Sequence, residues 1–142
     1  MRIDSARSSD LPAIRWLLEY ERLPASDLDE PSLERFLVVR NGGSVVAAVG
    51  LEIFGAAALL RSLVVDPQLR GEGLGIQLTK AAEALTHRSG VESIYLLTTT
   101  ADEFFSARGY RIVDRSEAPA VIQATTQFSA LCPSTAILMV KP

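Results

Sequence analysis

The residues best suited to chemistry lie in the glycine-rich stretch Arg70–Gly75. Its glycines alternate with larger residues, so the backbone can turn tightly and no Cβ shields the peptide N–H groups. An apolar run, Leu59–Val65, precedes the stretch, and a helical pattern follows it. The N–H groups would therefore point outward at the start of a helix, where the helix dipole favours negative charge. Because Arg70 can add charge-assisted hydrogen bonds, the stretch predicts a phosphate site.

The spacing of this stretch separates it from two common phosphate-binding loops. A dinucleotide-binding fingerprint needs G-x-G-x-x-G and a P-loop needs G-x-x-x-x-G-K-[ST], and neither pattern is present. The pattern R-x-x-G-x-G, following Leu63–Pro67, resembles the acyl-CoA pyrophosphate loop of the GCN5-related N-acetyltransferases, the GNAT superfamily. The resemblance implies acetyl-CoA as the cosubstrate. The alternative is an ordinary glycine-rich turn that caps a helix.

The resemblance assigns cofactor contacts to the glycine loop and to the strand before it. In the superfamily that strand gives main-chain hydrogen bonds to the pantetheine arm, and the loop amides hold the pyrophosphate. A later strand, here Tyr95–Thr98, splays from its neighbour and opens the slot for the cofactor. The residues that would bind acetyl-CoA in this way are Leu63, Val64, Val65, Arg70, Gly71, Gly73, Leu74, Gly75 and Ile76.

The usual general acid of the superfamily has no counterpart in this chain. Many members carry a tyrosine four residues before the glycine of a Gly-Tyr pair, and it protonates the leaving thiolate. This chain has Phe105 at that place, beside the cofactor by resemblance, and phenylalanine has no dissociable proton. Cys132, Ser134 and bound water are the candidates for a replacement, and the thiolate could also leave unprotonated.

Arg61 is the residue that points to the chemical class of the acceptor. Superfamily members that act on polyamines often have a glutamate at the matching place. An arginine there would repel a cationic acceptor and could bind an anionic one through two N–H groups. A buried, unpaired charge within the apolar run would be costly, so Arg61 is expected to have a partner or a function. The alternative is a solvated charge on a strand edge.

Transfer of an acetyl group to an amine requires that the amine lose a proton. The first candidate for the base is Glu52 on the neighbouring predicted strand, with Glu19, Asp27 and a water path as alternatives. The resemblance also places Glu19 and Tyr20 at the wall of the acceptor pocket. The residues predicted to bind the acceptor are Glu19, Tyr20, Arg61, Ser62 and Thr98.

Three segments resemble a small arsenic-resistance N-acetyltransferase family within the superfamily: Leu60–Pro67, the run Leu96–Ala101 with the pair Phe104-Phe105, and Ala130–Ser134. The second segment, with the Gly-Tyr pair after it, also resembles the acetyltransferase domain of N-acetylglutamate synthases. Both resemblances imply a small-molecule amine acceptor that is an amino acid or an amino-acid-like anion, used in detoxification or in ordinary metabolism. A CoA-binding module without turnover is the alternative from another class, and the missing tyrosine supports it.

The elements that must position these residues alternate in a mixed α/β order. Hydrophobic periodicity and turn residues predict strands at Arg2–Ala6, Phe36–Arg40, Ser44–Phe54, Ala57–Val65, Glu92–Thr98, Tyr110–Arg115 and Ala136–Lys141. They predict helices at Leu11–Tyr20, Pro31–Phe36, Leu74 to a stop at Gly90, Ala101–Arg108 and Pro119–Leu131. The expected fold class is mixed α+β, with a central, mostly antiparallel sheet of about six to seven strands flanked by helices, and the resemblance implies that this is the GNAT fold.

The composition of the chain excludes several other classes of protein. A chain of 142 residues with 48% hydrophobic residues predicts one domain, residues 1–142, with a full core. A net charge of −3 argues against nucleic-acid binding, and charged residues interrupt the apolar runs before they reach membrane-spanning length. The lone Cys132 excludes an internal disulfide and favours the cytoplasm, and no metal site is predicted. A homodimer is expected from the resemblance and from the apolar final strand.

Overall fold

Seven β-strands and four α-helices make up the main regular structure of residues 2–142, which the computed structural model describes. The strands are β1 Arg2–Ser5, β2 Phe36–Asn41, β3 Ser44–Phe54, β4 Ala57–Val65, β5 Ser93–Thr98, β6 Arg111–Val113 and β7 Ile137–Lys141. The helices are α1 Leu11–Tyr20, α2 Leu74–Arg88, α3 Asp102–Ser106 and α4 Ala120–Gln123.

The strands form one sheet in the order β1-β2-β3-β4-β5-β7-β6. Strand β2 pairs antiparallel with β1 and with β3, and β7 pairs antiparallel with β5 and with β6. Strands β4 and β5 are parallel, and their pairing joins Ala57–Leu59 to Ser93–Tyr95. The predicted fold class, mixed α+β with a mostly antiparallel sheet, is therefore confirmed.

One compact unit extends to Leu51 and also contains Ser62–Ala84. Its core forms because Ile14, Leu17 and Leu18 recur at helical spacing and turn one face of α1 inward. Other buried members of this core are Leu33, Phe36, Val38, Ala48 and Val64. The glycine loop belongs to this unit.

The second compact unit consists of Glu52–Arg61 and Leu85–Pro142. Its core contains Ala57, Leu59, Ala118, Ile122 and Leu138. Strand β7 lies between β5 and β6, and its residues Leu138, Met139 and Val140 are buried. Packing within the chain thus accounts for the apolar character of the final strand, so this strand gives no support to the expected homodimer.

The predicted continuous helix Pro119–Leu131 is wrong. A 3-10 turn at Arg115–Glu117 precedes the short helix α4, and a π-helical turn at Gln127–Leu131 follows it. The break has a local cause: the Thr125 hydroxyl donates to the Ile122 carbonyl at 2.7 Å and accepts the Phe128 N–H at 3.2 Å. Such side-chain bonds compete with the regular helical pattern.

Two smaller differences also have local causes. The predicted second helix is a 3-10 turn at Pro31–Arg35, and Phe36 already begins β2. Strand β6 is shorter than predicted because the Asp114 N–H donates to the Glu117 carboxylate at 2.9 Å and starts the next turn. Within residues 2–142, no helix has both the length and the apolar character that crossing a membrane requires.

Candidate functional site

The glycine loop connects β4 to α2, as the sequence predicts. Asp66 opens it: its carboxylate accepts the Gln68 N–H at 2.9 Å, and its own N–H donates to the Val46 carbonyl at 2.8 Å. Gly71 and Gly73 have φ values of +85° and +82°, a left-handed backbone conformation that residues with a Cβ rarely adopt. A Cβ built at either glycine meets no atom within 4 Å, so the backbone conformation, not crowding, requires glycine there.

The first turn of α2 presents a row of main-chain donors. The Gln77 N–H donates to the Gly73 carbonyl at 3.0 Å, which starts the hydrogen-bond ladder of the helix. The preceding N–H groups, on Gly73, Leu74, Gly75 and Ile76, therefore have no partner within the helix. Because α2 is 15 residues long, its dipole adds positive potential at this end. The arrangement suits a phosphate group.

Arg70 forms an ion pair with Glu21, the residue that follows α1. The Arg70 side chain is exposed, so solvent screens this pair and its contribution to stability is small. A phosphate could replace the Glu21 carboxylate as the partner of the guanidinium, since both are anions with the same hydrogen-bonding geometry. Sequence reasoning does not identify Glu21, because nothing in the local pattern links it to the loop.

The segment of β4 nearest the loop has an irregular backbone. Ser62 has φ +59°, a left-handed conformation within a strand that is otherwise extended. This conformation costs a residue other than glycine about 1–2 kcal/mol, and such strained positions cluster at functional sites. Of the next residues Val64 is buried, while Leu63 and Val65 are half-buried. The sequence carries no signal for the irregularity, because serine, unlike glycine, asparagine or aspartate, is not typical of a left-handed conformation.

Arg61 and Glu52 form an ion pair. Arg61 Nη1 donates to Glu52 Oε2 at 2.9 Å. Solvent reaches 4% of the Arg61 side chain and 30% of the Glu52 side chain. Arg61 is therefore a buried cation with a partner, and the alternative of a solvated charge on a strand edge is contradicted.

Two further residues assigned from sequence, Thr98 and Phe105, lie at the end of β5 and in α3. The Thr98 hydroxyl oxygen accepts the Ala101 N–H at 2.9 Å, just before α3. Phe105 is buried, with its ring edge-on to Phe104 and to Tyr110 at centroid distances of 5.1 and 5.6 Å. These contacts give Phe105 a packing role.

The residues assigned to the acceptor wall lie at the end of α1. Glu19 and Tyr20 are exposed, and the Tyr20 ring stacks on Trp16 at a centroid distance of 5.2 Å. Of the candidates for a general acid, Cys132 Sγ lies 3.6 Å from Gln127 Oε1. Among the described residues, no group of three or more His, Cys, Asp or Glu side chains could hold a metal ion.

Comparison with protein families matches residues 32–112, more than half of the chain, to the acetyltransferase (GNAT) domain. Among curated proteins, the amino-acid acetyltransferase of Pseudomonas putida (strain GB-1) is 30% identical over 83 residues. These residues are 57% of this chain and 19% of that relative. The uncharacterized N-acetyltransferase CT2212 of Chlorobaculum tepidum is 30% identical over 85 residues, 59% of this chain and 54% of that protein.

Solved structures share the fold over the whole chain. N-acetylglutamate synthase from Neisseria gonorrhoeae, complexed with coenzyme A and N-acetyl-glutamate, has a TM-score of 0.85 at 21% identity. The similarity covers 99% of this chain and 34% of the synthase. Rv2747 from Mycobacterium tuberculosis, crystallised with CoA, has a TM-score of 0.81 at 19% identity and is covered over 98% of its length. At these identities the likeness shows the fold.

Proposed function

The chain belongs to the GNAT acetyltransferases, and from this premise we propose that it transfers an acetyl group from acetyl-CoA to the amine of a small, acidic, amino-acid-like acceptor. The observation that carries the cofactor assignment is the N-terminus of α2. There, the main-chain N–H groups from Gly73 to Ile76 adjoin a loop in which Gly71 and Gly73 have left-handed conformations. The space that a Cβ would take at those glycines is open, so a pyrophosphate can approach the backbone.

The glycine loop and β4 would hold the cofactor. The N–H groups of Gly73, Leu74, Gly75 and Ile76 would donate to the pyrophosphate, and Arg70 would exchange the Glu21 carboxylate for a phosphate oxygen. The main chain of Leu63–Val65 would align the pantetheine arm, and one of its N–H groups would stabilise negative charge on the thioester oxygen. Acetyl-CoA supplies a thioester carbonyl carbon that an amine can attack.

Glu52 would accept the proton that the acceptor ammonium must lose, directly or through one water molecule. The amine nitrogen then forms a bond to the carbonyl carbon, and the carbon–sulfur bond breaks with its electron pair on sulfur. The thiolate leaves as such or takes a proton from solvent. Phe105 is a buried packing residue without a dissociable proton, so it cannot act as the acid.

The similar proteins support an amino acid as the class of acceptor. They include amino-acid acetyltransferases and a synthase of the same fold that was solved with N-acetyl-glutamate bound. The resemblance of the Cys132–Ser134 tail to arsenic-linked enzymes adds arsenic-containing amino-acid analogues to the acceptors worth testing, with a role in detoxification. A glutamate-type enzyme of ordinary metabolism is the second candidate, favoured by the same relatives. The lone Cys132 favours the cytoplasm as the location of this enzyme, and the superfamily resemblance favours a homodimer.

A CoA-binding module without turnover is the candidate from another class, and the apolar cluster around Phe105 favours it. The experiment that separates the candidates is thiol release from acetyl-CoA with a panel of acidic amino acids, phosphinic and arsenical analogues, polyamines and peptides. Release with the acidic amino acids or their analogues is expected. Release with polyamines or peptides alone would contradict the acceptor class. Tight binding of acetyl-CoA without release for any acceptor would establish the module.

A further inference from the structure

The two members of the Glu52–Arg61 pair differ in their access to solvent. The guanidinium side chain is 4% exposed and the glutamate side chain is 30% exposed. A molecule that approaches this pair from solvent therefore meets the carboxylate, with the guanidinium behind it. An acceptor amine carries positive charge before it loses its proton, so the exposed carboxylate is the member of the pair that attracts it.

The hydrogen bond between the two side chains leaves capacity on the carboxylate. Arg61 Nη1 donates to Oε2 of Glu52 at 2.9 Å. An ionised carboxylate has two oxygens and about four acceptor positions, so one bond to Arg61 does not exhaust it. A guanidinium is planar and its N–H groups have fixed directions, so this bond also fixes the orientation of the carboxylate.

We propose that Arg61 is a positioning residue that acts on the acceptor amine through Glu52, and that it does not itself bind the acid group of the acceptor. This role rests on the proposed function. Glu52 takes a proton from the acceptor ammonium, the nitrogen–carbon bond forms, and the carbon–sulfur bond breaks to release the thiolate. Arg61 holds the Glu52 carboxylate in the place from which it can take that proton, and it remains protonated throughout.

This role and direct binding of the acceptor by Arg61 predict different kinetics. If Arg61 contacts an acid group of the acceptor, loss of Arg61 weakens the binding of acceptors that carry that group and leaves the binding of the others unchanged. If Arg61 acts through Glu52, its loss slows every acceptor by the same factor, because all of them must lose a proton from the amine. L-glutamate, its α-amide isoglutamine and its γ-amide glutamine differ only in which acid group is present.

The experiment is a double-mutant cycle with Arg61→Gln, Glu52→Gln and the combined variant, measured as kcat and KM with these three acceptors. Arg61→Gln is expected to lower kcat about 10–100-fold, as loss of a supporting contact does at other sites. The KM for L-glutamate and the ratios among the three acceptors stay within about 3-fold of wild type. In the Glu52→Gln background, Arg61→Gln causes no further loss, since the two residues act as one unit.

Two further variants separate this effect from a loss of folding. Arg61→Lys keeps the positive charge and is expected to have a kcat between those of Arg61→Gln and the wild type. If Arg61→Gln does not fold, the kinetic comparison is made with Arg61→Lys instead. Arg40→Gln makes the same change in a second arginine–carboxylate pair, that of Arg40 with Asp10, and is expected to lower stability without changing kcat.

A rise in KM confined to acceptors with one particular acid group would overturn the positioning role, and so would multiplicative effects in the cycle. If the wild type acetylates none of the acceptors tested, the proposed function fails for this class, and the crystal structure of Arg61→Gln decides the role of Arg61. A displaced Glu52 carboxylate in that structure supports positioning, and an unmoved one contradicts it.

Discussion

Two arginine–carboxylate pairs in this chain differ in how far solvent reaches their carboxylates. In the pair of Asp10 and Arg40, two guanidinium nitrogens donate to the two carboxylate oxygens at 2.8 and 2.7 Å, and the side chains are 8% and 16% exposed. In the pair of Glu52 and Arg61, the guanidinium is almost fully buried while the carboxylate reaches solvent. The first pair is closed to other molecules, and the second presents one of its members.

The closed pair has the features of a structural contact. Asp10 also accepts the N–H of Arg7 at 2.7 Å, so the carboxylate links the start of α1 to β2. The hydrogen bond from Arg40 holds the pKa of Asp10 below its usual value, against the opposing effect of burial. The same bond raises the pKa of Arg40. The closed pair therefore stabilises the fold, whereas the exposed carboxylate of the other pair is accessible to the amine of an acceptor.

The largest expected difference between the pairs is in stability. Arg40→Gln leaves the buried Asp10 carboxylate without its main partner and is expected to lower the free energy of unfolding by about 3–5 kcal/mol. Arg61→Gln is expected to cost only about 1–2 kcal/mol, because water can reach the Glu52 carboxylate that remains. Urea unfolding of both variants and the wild type measures the difference. Equal losses would show that the two pairs do not differ in the way their exposure indicates.

The second difference is in the response to acid. The pKa of Asp10 is lower in the folded protein than its usual value of 3.8, so the unfolded chain binds more protons between these two pKa values. The stability from this pair is thus present above the unfolded pKa and is lost as the pH falls through the folded one. Unfolding free energies measured between about pH 7 and about pH 3 should fall more steeply for the wild type than for Asp10→Asn. Parallel curves would contradict a paired Asp10.

The smallest effect is expected at Ser62, next to Arg61 in the chain. Because its φ is +59°, Ser62→Gly should raise stability by up to about 1 kcal/mol, and Ser62→Val should lower it by about 1–2 kcal/mol. Thermal unfolding of the two variants checks the sign of each change. If valine were tolerated as well as glycine, the left-handed conformation at this residue would be disproved.

Sequence patterns predict the parts of this fold that depend on local chemistry. The bounds of β3 and β4, Ser44–Phe54 and Ala57–Val65, coincide with the predicted strands because turn-forming residues flank both. The glycine loop follows β4 as predicted, since its glycines and the helical pattern after them are contiguous. The predicted helix through Thr125 fails because one hydroxyl redirects the hydrogen bonds there.

Contacts between distant residues are what the sequence does not predict. Arg61 is recognisable as a cation in an apolar run, so a partner is expected, but the choice of Glu52 depends on how β3 and β4 are paired. Glu21 has no local feature that marks it as the partner of Arg70. Asp10 and Arg40 likewise come from a turn and a strand that meet only in the folded chain.

Exchange of each carboxylate for its amide, followed by measurement of thiol release from acetyl-CoA with L-glutamate, tests most directly whether the exposed Glu52 carboxylate takes the proton. Glu52→Gln should lower kcat by about 10²–10⁴-fold, the usual contribution of a general base, and should also lower the melting temperature, because the buried Arg61 guanidinium loses its carboxylate partner. Asp10→Asn should keep kcat within about 3-fold and lower the melting temperature, as expected when a buried pair is broken. Full turnover in Glu52→Gln would contradict the assignment of the exposed carboxylate as the group that takes the proton.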